Sequence, residues 1–319
     1  MSRGAANRPG SGNVSARPVI ELRDLTKHYG ETIGVEGIDL EVEAGEIFGF
    51  LGPNGAGKTT TIRLLLDLIR PTRGTVRLFG RSAGEPRLRS RVGYLPGELV
   101  LDGRLTGAAT LRFLDALRPG AVDAARRQRR RELCERLGLS DDDLARRVRD
   151  YSRGMKQKLG LVAALQHDPD LLVLDEPTTG LDPLVRESVF EILVEAGRSG
   201  KTVFHSSHVL SEVDRTCTRA AIVGAGRLLD VMRVADVRRT SVRRMVVRFA
   251  GEAPIGELDL PGVEVVEHAG RRVVLKVASD LDPLLGVLAR HPVEHLVVPE
   301  PSLEEAFVEL YRAVPGSRS

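Results

Sequence analysis

The stretch Gly52-Pro53-Asn54-Gly55-Ala56-Gly57-Lys58-Thr59-Thr60 fits the pattern G-x-x-x-x-G-K-[ST], and no other part of the chain restricts the fold so tightly. Its glycines let the backbone turn N–H groups inward and admit a phosphate where a Cβ would obstruct it. The pattern assigns Lys58 to the β- and γ-phosphates of a nucleotide and the Thr59 hydroxyl to Mg2+, with the positive end of the following helix directed at the anion. The flanks agree. Residues 46–51 read as a buried strand, and 60–70 spaces Ile62, Leu65, Leu66 and Ile69 along one face of a helix that Pro71 ends.

With 319 residues the chain has room for two domains, each with its own core. A hydrophobic content of 42% with 29% charged residues is that of a soluble globular protein, and no run approaches the roughly 18 apolar residues that span a bilayer. Residues 1–18 contain no apolar segment or cleavage pattern of a secretory signal, so the chain is expected to stay in the cytoplasm. Cys134 and Cys217 lie far apart and form no C-x-x-C pair, which fits a reducing compartment without a structural disulfide or zinc site. The net charge of +3 comes from six lysines and 41 arginines spread among 44 acids, with 4% aromatics and no tryptophan. A nucleic-acid surface would cluster its charge and interleave aromatics, so no nucleic-acid partner is expected.

Along the chain, residues 1–17 lack periodicity and read as a disordered tail, while 19–22 and 38–42 read as antiparallel strands flanking a loop around Tyr29-Gly30. Tyr29 could stack on a base or simply pack beside the turn. Strands follow at 75–80 and 91–96. From about 106 to 150 the pattern becomes helical, with Leu111, Leu114 and Leu117 on one face, then Leu133, Leu137 and Leu139 after a break at Pro119-Gly120. The basic run 126–131 on this insert reads either as a solvated face or as a contact for anionic headgroups or an acidic partner. Ser152 suits the N-cap of a helix over 155–166. The apolar run 171–174 is of buried parallel-strand type and leads directly into Asp175-Glu176, and a strand at 202–206 ends near His208, so several strand ends bring polar residues to one sheet edge. A metal pair of His205 and His208 lacks a third ligand nearby. After about 242 a new unit begins, with strands at 245–249, 263–267, 273–277 and 296–298, a helix at 283–289, and a last helix at 303–313 that Ser302 and Glu305 would cap.

Taken together, these motifs resemble the ATP-binding subunit of an ABC transporter over roughly residues 19–235. Gly52 to Thr60 resembles Walker A, Tyr151-Ser152-Arg153-Gly154-Met155 the signature motif, and Leu171 to Glu176 Walker B. Gly180-Leu181-Asp182 resembles the D-loop and Ser206-Ser207-His208 the histidine switch. Within the family, a single cassette followed by a tail ending Pro301-Ser302-Leu303-Glu304-Glu305-Ala306-Phe307 is similar to bacterial exporters of the daunorubicin-resistance kind. The resemblance implies an α/β fold: a P-loop NTPase core with an antiparallel β-subdomain and a helical insert at about 97–165, together spanning 18–242. A small C-terminal α/β domain of accessory role, 243–319, completes it.

The resemblance also implies an enzyme that binds and hydrolyses ATP with Mg2+. Asp175 and Thr59 would hold the metal, Glu176 would polarise the attacking water, His208 would contact the γ-phosphate, and Lys58 would meet the phosphates. Tyr29 matches the adenine-stacking position. Ser152 and Gly154 would face the nucleotide held by a second protomer, with Asp182 linking the two sites, so a homodimer or heterodimer is implied, docked on a separate multi-spanning membrane permease at the cytoplasmic face of the membrane. Two departures stand out: Arg153 and Met155 replace the signature's first glycine and its glutamine, and Gly97 followed by Glu98 replaces the glutamine of the Q-loop. Glu98 is the candidate for the missing metal and water contact, or for the link to the permease. Export of a drug, antibiotic or other small amphipathic molecule is the leading expectation; the alternatives are a soluble ATPase of the same family acting on ribosomes or DNA, and an importer subunit.

Overall fold

The computed structural model describes residues 18–118, 123–236, 243–278 and 281–298. The chain opens with β1 (Ile20–Tyr29), β2 (Thr32–Val42), β3 (Ile47–Leu51), α1 (Lys58–Leu65), β4 (Arg73–Leu78), β5 (Arg81–Ser82) and β6 (Val92–Leu95). The insert carries α2 (Gly107–Ala116), α3 (Ala124–Arg136), α4 (Asp141–Ala145) and α5 (Arg153–Leu165). Next come β7 (Leu171–Asp175), α6 (Pro183–Arg198), β8 (Thr202–Ser207), α7 (Leu210–Thr216), β9 (Arg219–Gly224) and β10 (Arg227–Arg233). Last are β11 (Arg243–Phe249), β12 (Val263–Ala269), β13 (Arg272–Val277), α8 (Asp282–Leu288) and β14 (Val293–Val297).

A six-stranded sheet, ordered β10-β9-β3-β8-β7-β6, runs through the centre and is parallel except for β10. Every residue of β3, β7 and β8 is buried, as a parallel sheet covered on both faces demands. Strand alternation sorts the side chains: Leu171 and Val173 enter one core with Phe48, Phe50 and Phe204, while Leu172 and Leu174 enter the other with Leu51 and Leu159. The first core lies under α1 and the antiparallel sheet β2-β1-β4-β5, and the second under the insert, α6 and α7. Each fully buried leucine or phenylalanine contributes about 1.5–3 kcal/mol. A third sheet, β12-β13-β11-β14, is antiparallel and closes its own core of Met245, Val247, Phe249, Leu275, Leu284 and Val287 with α8.

Three local expectations change. The helix after the glycine loop stops at Leu65 rather than Arg70, because Asp67 takes a left-handed conformation and the N–H of Leu68 returns to the Arg63 carbonyl at 2.9 Å. β1 and β2 are longer than the pattern indicates and meet in a hairpin, with Gly30 at φ +62, so Tyr29 ends a strand instead of lying in a loop. In α2 the inward face is Thr110, Leu111 and Asp115, and Leu117 is 67% exposed.

Asp115 explains that shift. Its side chain is fully buried, Arg126 reaches Oδ1 at 3.3 Å, and Arg130 pairs with Oδ2. Arg129 donates to the Leu165 carbonyl at 3.1 Å and pairs with Asp168 at 3.1 Å. The basic run on α3 is therefore divided: three of its arginines tie α3 to α2 and to the end of α5, while Arg127 and Arg131 face outward. The last helix expected at 303–313, its cap at Ser302 and Glu305, the break at Pro119-Gly120 and the tail 1–17 lie outside the described residues.

Candidate active site

β3 delivers the chain to Gly52, where a Cβ would stand 2.5 Å from the Val223 carbonyl oxygen. Gly57 has φ +101, and a Cβ there would meet the Gly34 carbonyl at 2.8 Å. α1 starts directly after it with no side chain capping its N-terminus, which leaves first-turn N–H groups and the positive dipole end available to an anion. Lys58 is buried, and its Nζ donates to the carbonyls of Gly52 at 2.7 Å and Pro53 at 3.1 Å. The ammonium thus lies folded across the loop.

The parallel pairing of β7 with β8 sets Asp175 opposite Ser206. Asp175 is almost completely buried, and both its oxygens are engaged: Oδ2 accepts from Thr59 Oγ1 at 2.8 Å and Oδ1 from Ser206 Oγ at 2.5 Å. Ser206 Oγ also accepts the N–H of Glu176 at 3.0 Å. Glu176 has φ +50, a conformation that side chains rarely adopt, and Gln157 Nε2 braces the next peptides by donating to the carbonyls of Glu176 at 3.2 Å and Pro177 at 3.0 Å.

Glu176 Oε1 lies 3.5 Å from Lys58 Nζ and 3.2 Å from His208 Nδ1, and Oε2 accepts from Thr179 at 3.2 Å. Burial pushes this carboxyl up, but Lys58, His208 and Thr179 outweigh it and hold the group below the ordinary carboxylate range. At neutral pH it is therefore a carboxylate, able to accept a proton or orient a water. Tyr94 is pushed up by burial and by the nearby Asp175 charge.

Thr59 and Asp175 meet the donor requirement of Mg2+, a hard cation that takes one or two protein oxygens and fills its octahedron with phosphate and water. Among the described residues no three His, Cys, Asp or Glu side chains group as metal ligands. Gly97 is set against Asp175, where a Cβ would sit 3.0 Å from Oδ2, and Glu98 beside it is exposed.

The remaining candidates occupy other surfaces. Tyr29 is 48% exposed, with Lys27 Nζ 5.3 Å from its ring centroid. Ser152 is the exposed N-cap of α5, accepting from Met155 N–H at 3.2 Å. Asp182 caps α6 through the Val185 N–H at 3.0 Å, and that bond lowers its pKa. A Cβ on Gly154 would stand 2.8 Å from the Gly180 carbonyl oxygen, so the signature helix and the loop before α6 touch within one chain. Among the described residues no hydrogen bond or ion pair joins Ser152, Gly154 or Asp182 to the loop 52–60. His205 points away from His208 into a buried contact with Cys217 at 3.0 Å and Thr216 at 3.2 Å.

Sequence reasoning missed the supporting residues. Ser206 was legible only as part of a motif, Gln157 only as one turn beyond Gly154, and Glu212 not at all, although it accepts from Thr178 at 2.7 Å and Ser207 at 2.8 Å and so ties the loop after β7 and the end of β8 to α7.

The family model of the ABC transporter matches residues 35–179. The chain is 35% identical over 300 residues to the Nod factor export ATP-binding protein I of Cupriavidus pinatubonensis, covering 92% of this chain and 90% of that one. It is 36% identical over 308 residues to the daunorubicin resistance ATP-binding protein DrrA3 of Streptomyces coeruleorubidus, covering 92% and 96%. Among solved structures, an ATP-binding subunit of an ABC transporter matches with a TM-score of 0.64 at 30% identity, covering 69% of this chain and 92% of that one.

Proposed function

The chain belongs to the ABC transporter family, as an ATP-binding subunit with ATPase activity, and from that premise we propose that it powers export of a drug, antibiotic or other small amphipathic molecule through a separate permease. The observation that carries the export reading is the length of the likeness: it extends past the ATPase core through the third sheet, to proteins named for export and for drug resistance. Among the described residues no helix is long and apolar enough to cross a membrane, and in this proposal the permease makes the crossing.

The proposed chemistry is positioning plus charge stabilisation. Lys58, released from the Gly52 and Pro53 carbonyls, neutralises the β- and γ-phosphate oxygens. Glu176 orients the attacking water and accepts its proton, and His208 contacts the γ-phosphate beside it. Thr59 and Asp175 would hold Mg2+, which shields phosphate charge when bound. Tyr29 stacks on adenine. Ser152 and Gly154 close on nucleotide held by a second protomer, with Asp182 at the joint, and opening of that dimer after hydrolysis moves the permease. Glu98 adds a metal or water contact, so Glu98→Ala should raise the Mg2+ concentration for half-maximal rate, and an unchanged Mg2+ requirement overturns that role.

The test is affinity purification of the tagged Glu176→Gln chain, held with ATP, from detergent-solubilised membranes of its host. Stoichiometric recovery of a multi-spanning protein supports the reading and identifies the permease to assay for efflux. Recovery of ribosomes or DNA-repair factors, with the chain missing from membranes, overturns it.

A further inference from the structure

Among the described residues, Ser206 is the one whose side chain hydrogen-bonds both acids of the site, and it does so through a single oxygen. Its hydroxyl donates to Asp175 Oδ1 at 2.5 Å and accepts from the Glu176 N–H at 3.0 Å. The side chain is fully buried, so no water competes for either bond. Its neighbour Ser207 faces the other way, bonding Glu212 and the Val209 backbone, and makes neither contact.

Each bond has a distinct consequence. Asp175 has one oxygen held by Ser206 and the other by Thr59, so its carboxylate plane is fixed from both sides before any metal arrives. The Glu176 N–H is at the start of a left-handed residue, where the backbone is least stable, and pinning it there sets the direction in which the Glu176 carboxylate leaves the strand toward Lys58 and His208.

We propose that Ser206 is a positioning residue that locks the Asp175 carboxylate and the Glu176 backbone into one rigid unit, so that the metal-holding and water-orienting acids keep a fixed separation during hydrolysis. This rests on the hydrolytic reading of Asp175 and Glu176 given above.

The experiment compares ATP hydrolysis by the full chain, Ser206→Ala, Ser206→Thr, Glu176→Gln and the Ser206→Ala/Glu176→Gln double variant, with the nucleotide-binding fraction of each measured directly. Loss of a group that orients a metal ligand costs roughly 10- to 100-fold. Ser206→Ala should lower kcat by about that factor and raise the Mg2+ concentration for half-maximal rate, while the nucleotide KM moves less than about threefold. Ser206→Thr, which keeps the hydroxyl, should recover most of the rate. Added to Glu176→Gln, Ser206→Ala should cost less than it does alone, because the two share one function. A loss of rate that only follows the binding-competent fraction, or wild-type kcat and Mg2+ dependence in Ser206→Ala, overturns the inference. Should Ser206→Thr fold poorly, the non-additivity in the double variant still decides. If Glu176→Gln hydrolyses ATP as fast as the unsubstituted chain, the hydrolytic reading itself fails, and Ser206 falls with it.

Discussion

Gly154, in the first turn of α5, lies so close to Gly180 that a single added methyl would stand 2.8 Å from the Gly180 carbonyl oxygen. Gly180 is itself at φ +78, so this loop cannot move aside by a simple side-chain adjustment. The two elements are thereby coupled: whatever displaces the signature helix displaces the loop between Glu176 and Asp182. Gly154→Ala is expected to leave nucleotide binding at Lys58 nearly unchanged while reducing hydrolysis, because misplacement by about 1 Å can cost on the order of 10²-fold. Equilibrium binding of ATP measured beside kcat checks it, and equal losses in both would contradict the coupling.

Glu176→Gln removes the carboxylate and keeps the shape. Loss of general-base assistance is worth about 10²- to 10⁴-fold, so hydrolysis should fall by that factor with ATP affinity preserved or tightened. Sedimentation with ATP should show a dimer that the unsubstituted chain forms only transiently. A variant that loses ATP binding would place Glu176 in recognition instead of chemistry.

The parts of the site legible in the sequence are those whose chemistry is carried by consecutive residues. The glycine loop needs its glycines within nine positions, and Asp175-Glu176 ends a strand whose every residue is buried, so each announces itself locally. Ser206 and Ser207 look alike in the sequence, and only the register of β8 against β7 sends one toward Asp175 and the other toward Glu212. Asp115 was hidden for a related reason: its partners Arg126 and Arg130 are on another helix, and a leucine count along α2 favours Leu117, which is exposed. Periodicity reports the apolar face of a helix but not a buried ion pair that replaces part of it.

Two buried histidines make the fold sensitive to acid below about pH 6.5. Burial brings His205 down to about 4 and His167, with the nearby Arg118 adding to it, to about 3, from an ordinary 6.5. Between pH 6.5 and about 4 the unfolded chain takes up protons at these positions while the folded chain does not, so acid favours unfolding. Each histidine should remove about 1.4 kcal/mol per pH unit in that window, or about 2 kcal/mol at pH 5. Glu176 has its folded pKa depressed, so its contribution is present above the ordinary carboxylate range and is lost only at more acid pH. Denaturant midpoints measured from pH 7 to pH 5 should fall steadily, and His205→Gln should flatten part of the slope; an unchanged slope would contradict the assignment.

The ion cluster of Asp115 makes the last prediction, and it concerns the insert that carries the signature helix. Asp115 is fully buried, whereas the Arg126 and Arg130 side chains keep 21% and 15% of their surface. Removing the acid alone leaves two guanidinium groups in a poorly solvated place with no counter-charge, and breaking a buried pair in this way costs about 3–5 kcal/mol. Asp115→Ala should therefore be strongly destabilising. Replacing all three residues by apolar side chains of similar volume should recover most of the loss, because the desolvation cost of the charges disappears with them. The comparison separates two roles. If the apolar triple variant is stable and hydrolyses ATP normally, the cluster serves packing of α2 against α3. If it is stable but slow, the charges hold the insert in the orientation that α5 needs, and thermal unfolding measured beside kcat distinguishes the two.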